Sequence, residues 1–382
     1  MLRYCRLILR FSYYIMLNKP LTHLLQSKQY LRWIIPLVLV VFIKFTTAFP
    51  AFIETYYSYG VYPFFANCQR TLWGWLPFSI GDLLYCLFVF FLLYRCYCTI
   101  QLARAKKINW EWLKTILLRN FRVLLWVYII FQSFWAINYH RQGIAHQLQL
   151  TENHYTEEEL KTFVCDLVDE LNTTRTALGD SNFVYPNNGI IFNNVYDAYQ
   201  VLHYKIPFLH YQHPSVKPSL FSYIVSYAGY SGYYNPFTGE AQVNTDLPGF
   251  CKPDVTCHEM AHQLGYASES EASFVGYLAG INSSNLMLKY STLFNLFATA
   301  NSELFAIDFW AAILNIKDLN PLVRRDRRIY RNYILGNQNN IEPVLKNVYD
   351  QYLKANAQKR GINSYEDVVG WVIAYRKKYG TR

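Results

Sequence analysis

Three stretches of the chain are apolar almost without interruption: Trp33–Phe49 (WIIPLVLVVFIKFTTAF), Leu83–Tyr94 (LLYCLFVFFLLY) and Val123–Ile137 (VLLWVYIIFQSFWAI). A membrane-spanning helix wants about 20 apolar residues. Each run reaches that length only with aromatic and basic residues at its ends, which gives expected spans of about 33–49, 77–98 and 121–139. So few charges interrupt them that transmembrane helices are expected rather than three buried core helices.

Beyond residue 139 the pattern becomes that of a globular domain. Thr156-Glu157-Glu158-Glu159 has the form of a capping box, with Leu160, Val164, Leu167, Val168 and Leu171 following at helical spacing. Residues 180–220 mix Asn, Pro, Gly, His and Tyr around one short helical stretch, Val195–Leu202. Phe221–Tyr227 (FSYIVSY) alternates aromatic or aliphatic with polar residues and reads as a strand. Turn chemistry comes next at 229–232 and at Asn235-Pro236-Phe237-Thr238-Gly239, and then an extended piece, Ala241–Asn244. A small antiparallel sheet is expected here. From Asp254 on, the pattern is helical, broken at Gly265, 282–285, Asn320-Pro321, 336–340 and 361–364. The fold class is therefore α+β: a three-helix membrane region over 1–138, then a mostly helical domain over 139–382.

Composition sharpens this. The chain is 52% hydrophobic and only 16% charged, with a formal charge of +10. Residues 1–138 hold 15 Lys and Arg against three acids, and the remainder holds 21 bases against 23 acids. The basic excess thus sits among the greasy segments, where it reports topology rather than nucleic-acid binding. Residues 1–32 carry six bases and no acid, 95–122 carry seven bases and one acid, and 50–82 carry one base and two acids. The positive-inside rule places the first two segments in the cytoplasm and everything after residue 139 outside. Lys44 and Asp82 read as interfacial. The opening MLRYCRLILRFSYYIML is no convincing signal peptide, because arginines interrupt it, and the true start is Met1 or Met16. Eight scattered cysteines without a CxxC pair leave the compartment unread.

Chemistry concentrates in Thr256–Phe274, TCHEMAHQLGYASESEASF. His258 and His262 are four apart, so on a helix both imidazoles leave one face and can share a cation. Glu259 lies beside the first histidine, where its carboxylate can take a proton from a water that Zn2+ brings to a pKa of about 7. Catalytic zinc takes a third protein ligand. Glu269 and Glu271 are the candidates, about 200° apart around a helix, so both cannot face one metal. Glu269 shares its face with Ala272, Gly276 and Gly280, a stripe that would lie close against the HEMAH helix. Glu271 completes a Ser268-x-x-Glu271 capping box and is the alternative third ligand.

An HExxH helix followed by a Glu-x-x-Ala helix resembles the gluzincin metallopeptidases, including integral-membrane ones. That resemblance implies zinc on His258, His262 and Glu269, Glu259 as general base, and a gluzincin-like zinc metallopeptidase domain. This chain has Ser273 where membrane gluzincins usually have Asp, and only six residues between His262 and Glu269. From the hydrophobic runs through GYYNPFTGEAQVN and HEMAHQLG to LKANAQKRGINSYEDVVGWVIAYRKK, the chain is also similar to a bacterial membrane family of unknown function. The resemblance puts Ala241–Asn244 where gluzincins place an edge strand for substrate. No single tyrosine among Tyr223, Tyr227, Tyr230, Tyr233, Tyr234 and Tyr290 stands out as an oxyanion donor.

The expectation is a multi-pass protein of the bacterial inner membrane, N-terminus in the cytoplasm and zinc domain on the periplasmic side. It would hydrolyse peptide bonds; its partners are the lipid bilayer and a peptide or protein substrate, with no nucleic acid. The alternative is a non-catalytic, zinc-stabilised envelope binding or scaffold protein.

Overall fold

The computed structural model describes residues 19–150, 154–179 and 183–380, so the opening segment and the choice between Met1 and Met16 lie outside the described residues. The chain is mostly helical with one three-stranded sheet. It forms two compact units. One takes the described residues up to Ala48 with Cys98–Ser133, and the other takes Phe49–Tyr97 with Phe134–Arg382.

The first unit holds helix α1 (Lys19–Thr46), in which Pro36 is tolerated. Thr46 and Thr47 turn their hydroxyls back to the carbonyls of Ile43 and Lys44, and Pro50 cannot continue the ladder. The run expected to span 33–49 therefore stops at Thr46. The connection that follows is itself helical: Pro50–Phe52, a π-helix over Ile53–Val61, and α2 (Tyr62–Trp73). Together Tyr30–Thr46 and Pro50–Trp73 have the length and apolarity of one broken span.

Helix α3 (Ile80–Arg104) is the only single helix among the described residues that is long and apolar enough to cross a membrane. Helix α4 (Trp110–Phe134) carries Glu111, Lys114, Arg119 and Arg122 in its first half. The run expected over 121–139 divides at Phe134, because Ala136, Ile137 and Tyr139 lie buried in a 3-10 turn of the second unit.

In that second unit the short helix α5 (Gly143–Gln147) leads to α6 (Glu157–Ala177), which opens on the complete capping box. Glu159 N donates to Thr156 Oγ1 at 3.2 Å, and Thr156 N donates to Glu159 Oε2 at 2.8 Å. Helix α7 (Asn188–Lys205) is longer than the stretch read from the sequence. Strand β1 (Val216–Pro218) precedes α8 (Ser222–Tyr227), β2 (Gly232–Asn235) and β3 (Glu240–Val243).

Two corrections concern these elements. Phe221–Tyr227 is a helix, not a strand: Ser222, Val225 and Ser226 are buried while Tyr223 and Ile224 face out, a period near 3.6 that overrides the apparent alternation. The sheet is mixed, not antiparallel, in the order β1-β3-β2. Val216 pairs with Ala241 in parallel and Gly232 with Val243 in antiparallel fashion, because the crossover through α8 and β2 returns β3 in the direction of β1. The Ala241–Asn244 piece is thus central and buried, and β1 and β2 are the edge strands.

Helices α9 (Lys252–Gln263), α10 (Glu269–Asn282), α11 (Leu286–Ile307), α12 (Phe309–Asp318), α13 (Pro321–Asn337), α14 (Glu342–Ala355) and α15 (Asp367–Tyr379) complete the unit. Their breaks fall where Gly, Asn and Pro predict them, with one more at Asp308, which caps α12 through Ala311 N. The core is built from Leu160, Leu167 and Leu171 of α6, Val195 and Tyr199 of α7, and the apolar faces of α10 and α11.

Candidate metal centre

Helix α9 carries HEMAH and ends at Gly265, whose φ of +86° suits glycine and stops the helix. Its last carbonyls, normally orphaned, find side-chain donors. Tyr62 OH reaches His262 O at 3.2 Å and Gln263 O at 3.0 Å, and Arg70 Nη1 donates to Gln263 O at 2.7 Å. Trp135 Nε1 donates to His262 O at 3.4 Å and Arg141 Nη1 to Gly265 O at 3.2 Å. Two guanidinium groups at the negative end of the helix dipole also stabilise it electrostatically. Glu54 holds Arg141 in turn, at 2.7 and 3.0 Å. The segments before residue 139 that supply these groups belong to the same compact unit as the site.

Helix α10 crosses close beside α9. A Cβ on Gly276 would stand 3.2 Å from His258 N, so this glycine permits the approach. Gly280, expected on the same contact, instead faces Thr292 of α11. The packing brings Glu269, first residue of α10, to both histidines: its Oε2 lies 3.1 Å from His258 Nε2 and 3.4 Å from His262 Nε2. One ligand atom from each of His258, His262 and Glu269 lies within 4.8 Å of the others.

The outer atoms of the cluster are held as well. His262 Nδ1 donates to Tyr266 O at 2.7 Å, which fixes a proton there and turns Nε2 toward Glu269. His258 Nδ1 bonds Ser273 Oγ at 3.1 Å, so Ser273 holds the outer atom of this histidine. Tyr349 OH, from α14, donates to Glu269 Oε1. Glu271 lies outside the cluster. Its Oε1 accepts from Ile144 N at 3.1 Å, and Ser268 Oγ bonds Gln358 and Ser270 rather than the α10 backbone, so the expected Ser268–Glu271 capping box does not form. The turn around Gly143 outcompetes the helix end for the carboxylate.

Glu259 is buried with Oε2 lacking a partner, and Gly232 of β2 approaches so closely that a Cβ there would stand 2.6 Å from Glu259 Oε1. Burial pushes the Glu259 carboxyl up to about 8, against the pull of His262. Burial would also raise Glu269, but His262 and His258 overrule it and hold that carboxyl well below its ordinary value. Burial would lower His262, yet Glu269 pushes it up to about 9, while His258 is lowered by burial. A cavity of about 380 Å³ lies beside His258 and Glu259, walled by Tyr230, Gly232, Ser273 and Tyr349, among others.

Of the tyrosines singled out in sequence, Tyr230 lines this cavity and Tyr234 stacks obliquely near His262. Tyr233 donates to Asp82 and Tyr290 to Asp326, both away from the cluster. Sequence reasoning missed Tyr349, Tyr62, Arg70, Trp135 and Arg141. They come from segments far along the chain, and no local spacing marks them.

Fold and site together define a class: a mostly helical protein with, among the described residues, one helix of membrane-spanning length and a largely buried His-His-Glu cluster that could hold a metal ion. The chain belongs to the DUF3810 family, described as a protein of unknown function, which it matches over residues 57–373. That range takes in the cluster, Tyr349 and the donors to the α9 carbonyls. No curated protein and no solved structure matches the chain.

Proposed function

We propose that the chain is a membrane-anchored zinc metallopeptidase of gluzincin type, hydrolysing peptide bonds on the extracytoplasmic side of a bacterial inner membrane. The observation that carries this reading is the convergence of His258, His262 and Glu269 on one point beside a buried, half-unpartnered Glu259. The donor set fits zinc: two imidazoles and a carboxylate leave room for a fourth position, as in catalytic rather than structural sites. Zinc, when bound, supplies Lewis acidity and makes hydroxide available near neutral pH.

The chain's own residues do the rest. Tyr266 O and Ser273 orient the two imidazoles, and Tyr349 steadies the carboxylate. Glu259, whose buried Oε2 has no hydrogen-bond partner, would take the proton of the attacking water and return it to the leaving amine. Since Asn244 N donates to Ser231 O, alternate residues Gly232 and Tyr234 turn their backbone groups to the open edge of β2. An extended peptide laid there would pass Glu259 and be held by main-chain bonds of low sequence specificity. Three membrane crossings, with the N-terminus in the cytoplasm, complete the proposal and agree with the distribution of bases.

The test is made on the full chain in detergent, because the site leans on 49–97 as well as on 134–382. One zinc per chain is expected, with hydrolysis of peptides. Glu259→Gln should keep the zinc and lose about 10²–10⁴-fold in turnover. Unchanged turnover in that variant rejects the general base. Bound zinc with no hydrolysis of any peptide by the wild type points instead to a zinc-stabilised binding or scaffold protein.

A further inference from the structure

A surface that the proposed chemistry does not use is apolar. Tyr223 and Ile224 on α8 are 75% and 62% exposed, and Val344 and Val348 on α14 are 61% and 63% exposed. Leu220 and Ile341 extend the two patches. Ile341, at the N-cap of α14, and Val344 and Val348 on it recur at helical spacing and form one stripe. The two elements adjoin. Asn339 Nδ2 donates to Tyr227 O at 2.6 Å, the rings of Tyr230 and Tyr349 lie 5.5 Å apart, and Gly229 backs onto Glu342. Exposed apolar patches on two adjoining elements call for something other than water to cover them.

Its attachment identifies the cover. Asp82, third residue of α3, accepts from Leu220 N at 2.8 Å and from Tyr233 OH at 2.6 Å. Ile80 N and Gly81 N donate to Glu240 of β3 at 3.0 and 2.6 Å. The sheet and α8 are therefore tied to the first turn of the one helix that has the length and apolarity of a membrane span. At 1.5 Å per residue α3 is about 37 Å long, against a hydrocarbon layer of about 30 Å. A helix of that length that crosses the layer would place its first turn near the headgroup level. Tyr223 and Ile224 follow Leu220 by three and four residues, about 5–6 Å along a helix, so they cannot be far from that level. The exposed Trp75, in the turn before α3, adds an indole of the kind that membrane interfaces collect.

We propose that the α8–α14 surface is seated in the interfacial layer of the bilayer that α3 crosses, so that lipid covers it. The cavity beside Glu259 is walled by Gly229–Gly232, which continue α8, and by Lys346 and Tyr349 on α14. Two walls of the cavity therefore run directly into the lipid-seated surface. On the peptidase reading, on which this clause alone rests, the substrates are polypeptide segments lying at the membrane surface.

The test uses the full chain in phosphatidylcholine–phosphatidylglycerol nanodiscs, with a benzophenone amino acid replacing Tyr223, Ile224, Val344 or Val348 in turn. Tyr204 on α7, which is 87% exposed, serves as the control position. Irradiation and mass spectrometry should find phospholipid adducts at the four positions and none at Tyr204. Equal yields at Tyr204, no lipid adducts at all, or crosslinks to a second copy of the chain overturn the proposal. A second arm compares a lipid-tethered peptide with the same peptide free, in wild type and in an Ile224→Lys, Val344→Lys double variant. The wild type should prefer the tethered form and the variant should lose that preference; a preference kept by the variant counts against the seat. If the wild type cleaves neither peptide, the peptidase reading fails while the lipid adducts still decide the surface.

Discussion

Glu269 and Glu271 stand two residues apart on α10 and serve different neighbours, one the two histidines and the other the amide of Ile144. This separation gives the sharpest test at the scale of single residues. On the proposed zinc site, Glu269→Ala should abolish zinc retention, because two remaining ligands rarely hold the ion firmly. Glu271→Ala should keep the zinc and lose about 1–3 kcal/mol of stability, since Ile144 N–H is left without its acceptor. Tyr349→Phe should retain zinc with an affinity weakened by about 10–100-fold, as removal of an outer partner usually does. Zinc per chain after dialysis against a graded chelator measures all three, and the opposite order for the two glutamates would reject the assignment. The histidine pair and Glu269 were legible in the sequence because α9 and α10 are consecutive helices with a glycine where they touch. Tyr349 was not, since it approaches Glu269 from 80 residues away, and one tyrosine among 34 carries no signal. The role of Glu271 was misread for a related reason: a capping box is a local rule, and the acceptor was taken by a backbone amide 127 residues upstream.

Among the elements, α9 depends on groups that precede the third apolar run or close it. Arg70 is buried, donates to Gln263 O, and stacks 5.0 Å over the Tyr211 ring. Arg70→Ala removes a charged hydrogen bond, a favourable dipole interaction and packing together. It should cost about 1.5–3 kcal/mol in thermal unfolding, by the range for hydrogen bonds to charged groups, and loosen zinc retention because His262 lies in the last turn that it caps. Arg70→Lys keeps the charge but loses the second donor to Asn67, and should fall between. Unfolding temperatures and chelator resistance that match wild type in both variants would show that α9 needs no outside cap. The helices of this unit were legible from their punctuation by Gly, Asn and Pro. The sheet was less so: four-residue strands give two alternations at most, and α8 imitated a strand because its aromatic residues face outward rather than inward. Nor could local pattern show that β3 would be central, which depends on β1 arriving from the far side of α8.

At the scale of the whole molecule, the proposed number of membrane crossings turns on α4. Its first half carries Lys114, Arg119 and Arg122, leaving 123–134 as an uncharged stretch of about 18 Å at 1.5 Å per residue, apolar but for Gln132 and Ser133. That is short of a hydrocarbon layer of about 30 Å. The remainder can come from the long stems of Arg119 and Arg122 reaching to the headgroups, and from local thinning of the bilayer. The continuing apolar residues Ala136, Ile137 and Tyr139 cannot supply it, because they are buried in protein. The proposal of three crossings therefore makes a prediction that α3 alone does not make. A reporter inserted after residue 108, beside Lys106 and Lys107, should lie in the cytoplasm, and one at the C-terminus should lie outside. Opposite sides for these two positions require α4 to cross; the same side for both removes that span. A C-terminus found in the cytoplasm would also move the metal centre to the inner face, where the membrane-seated surface would meet the opposite leaflet.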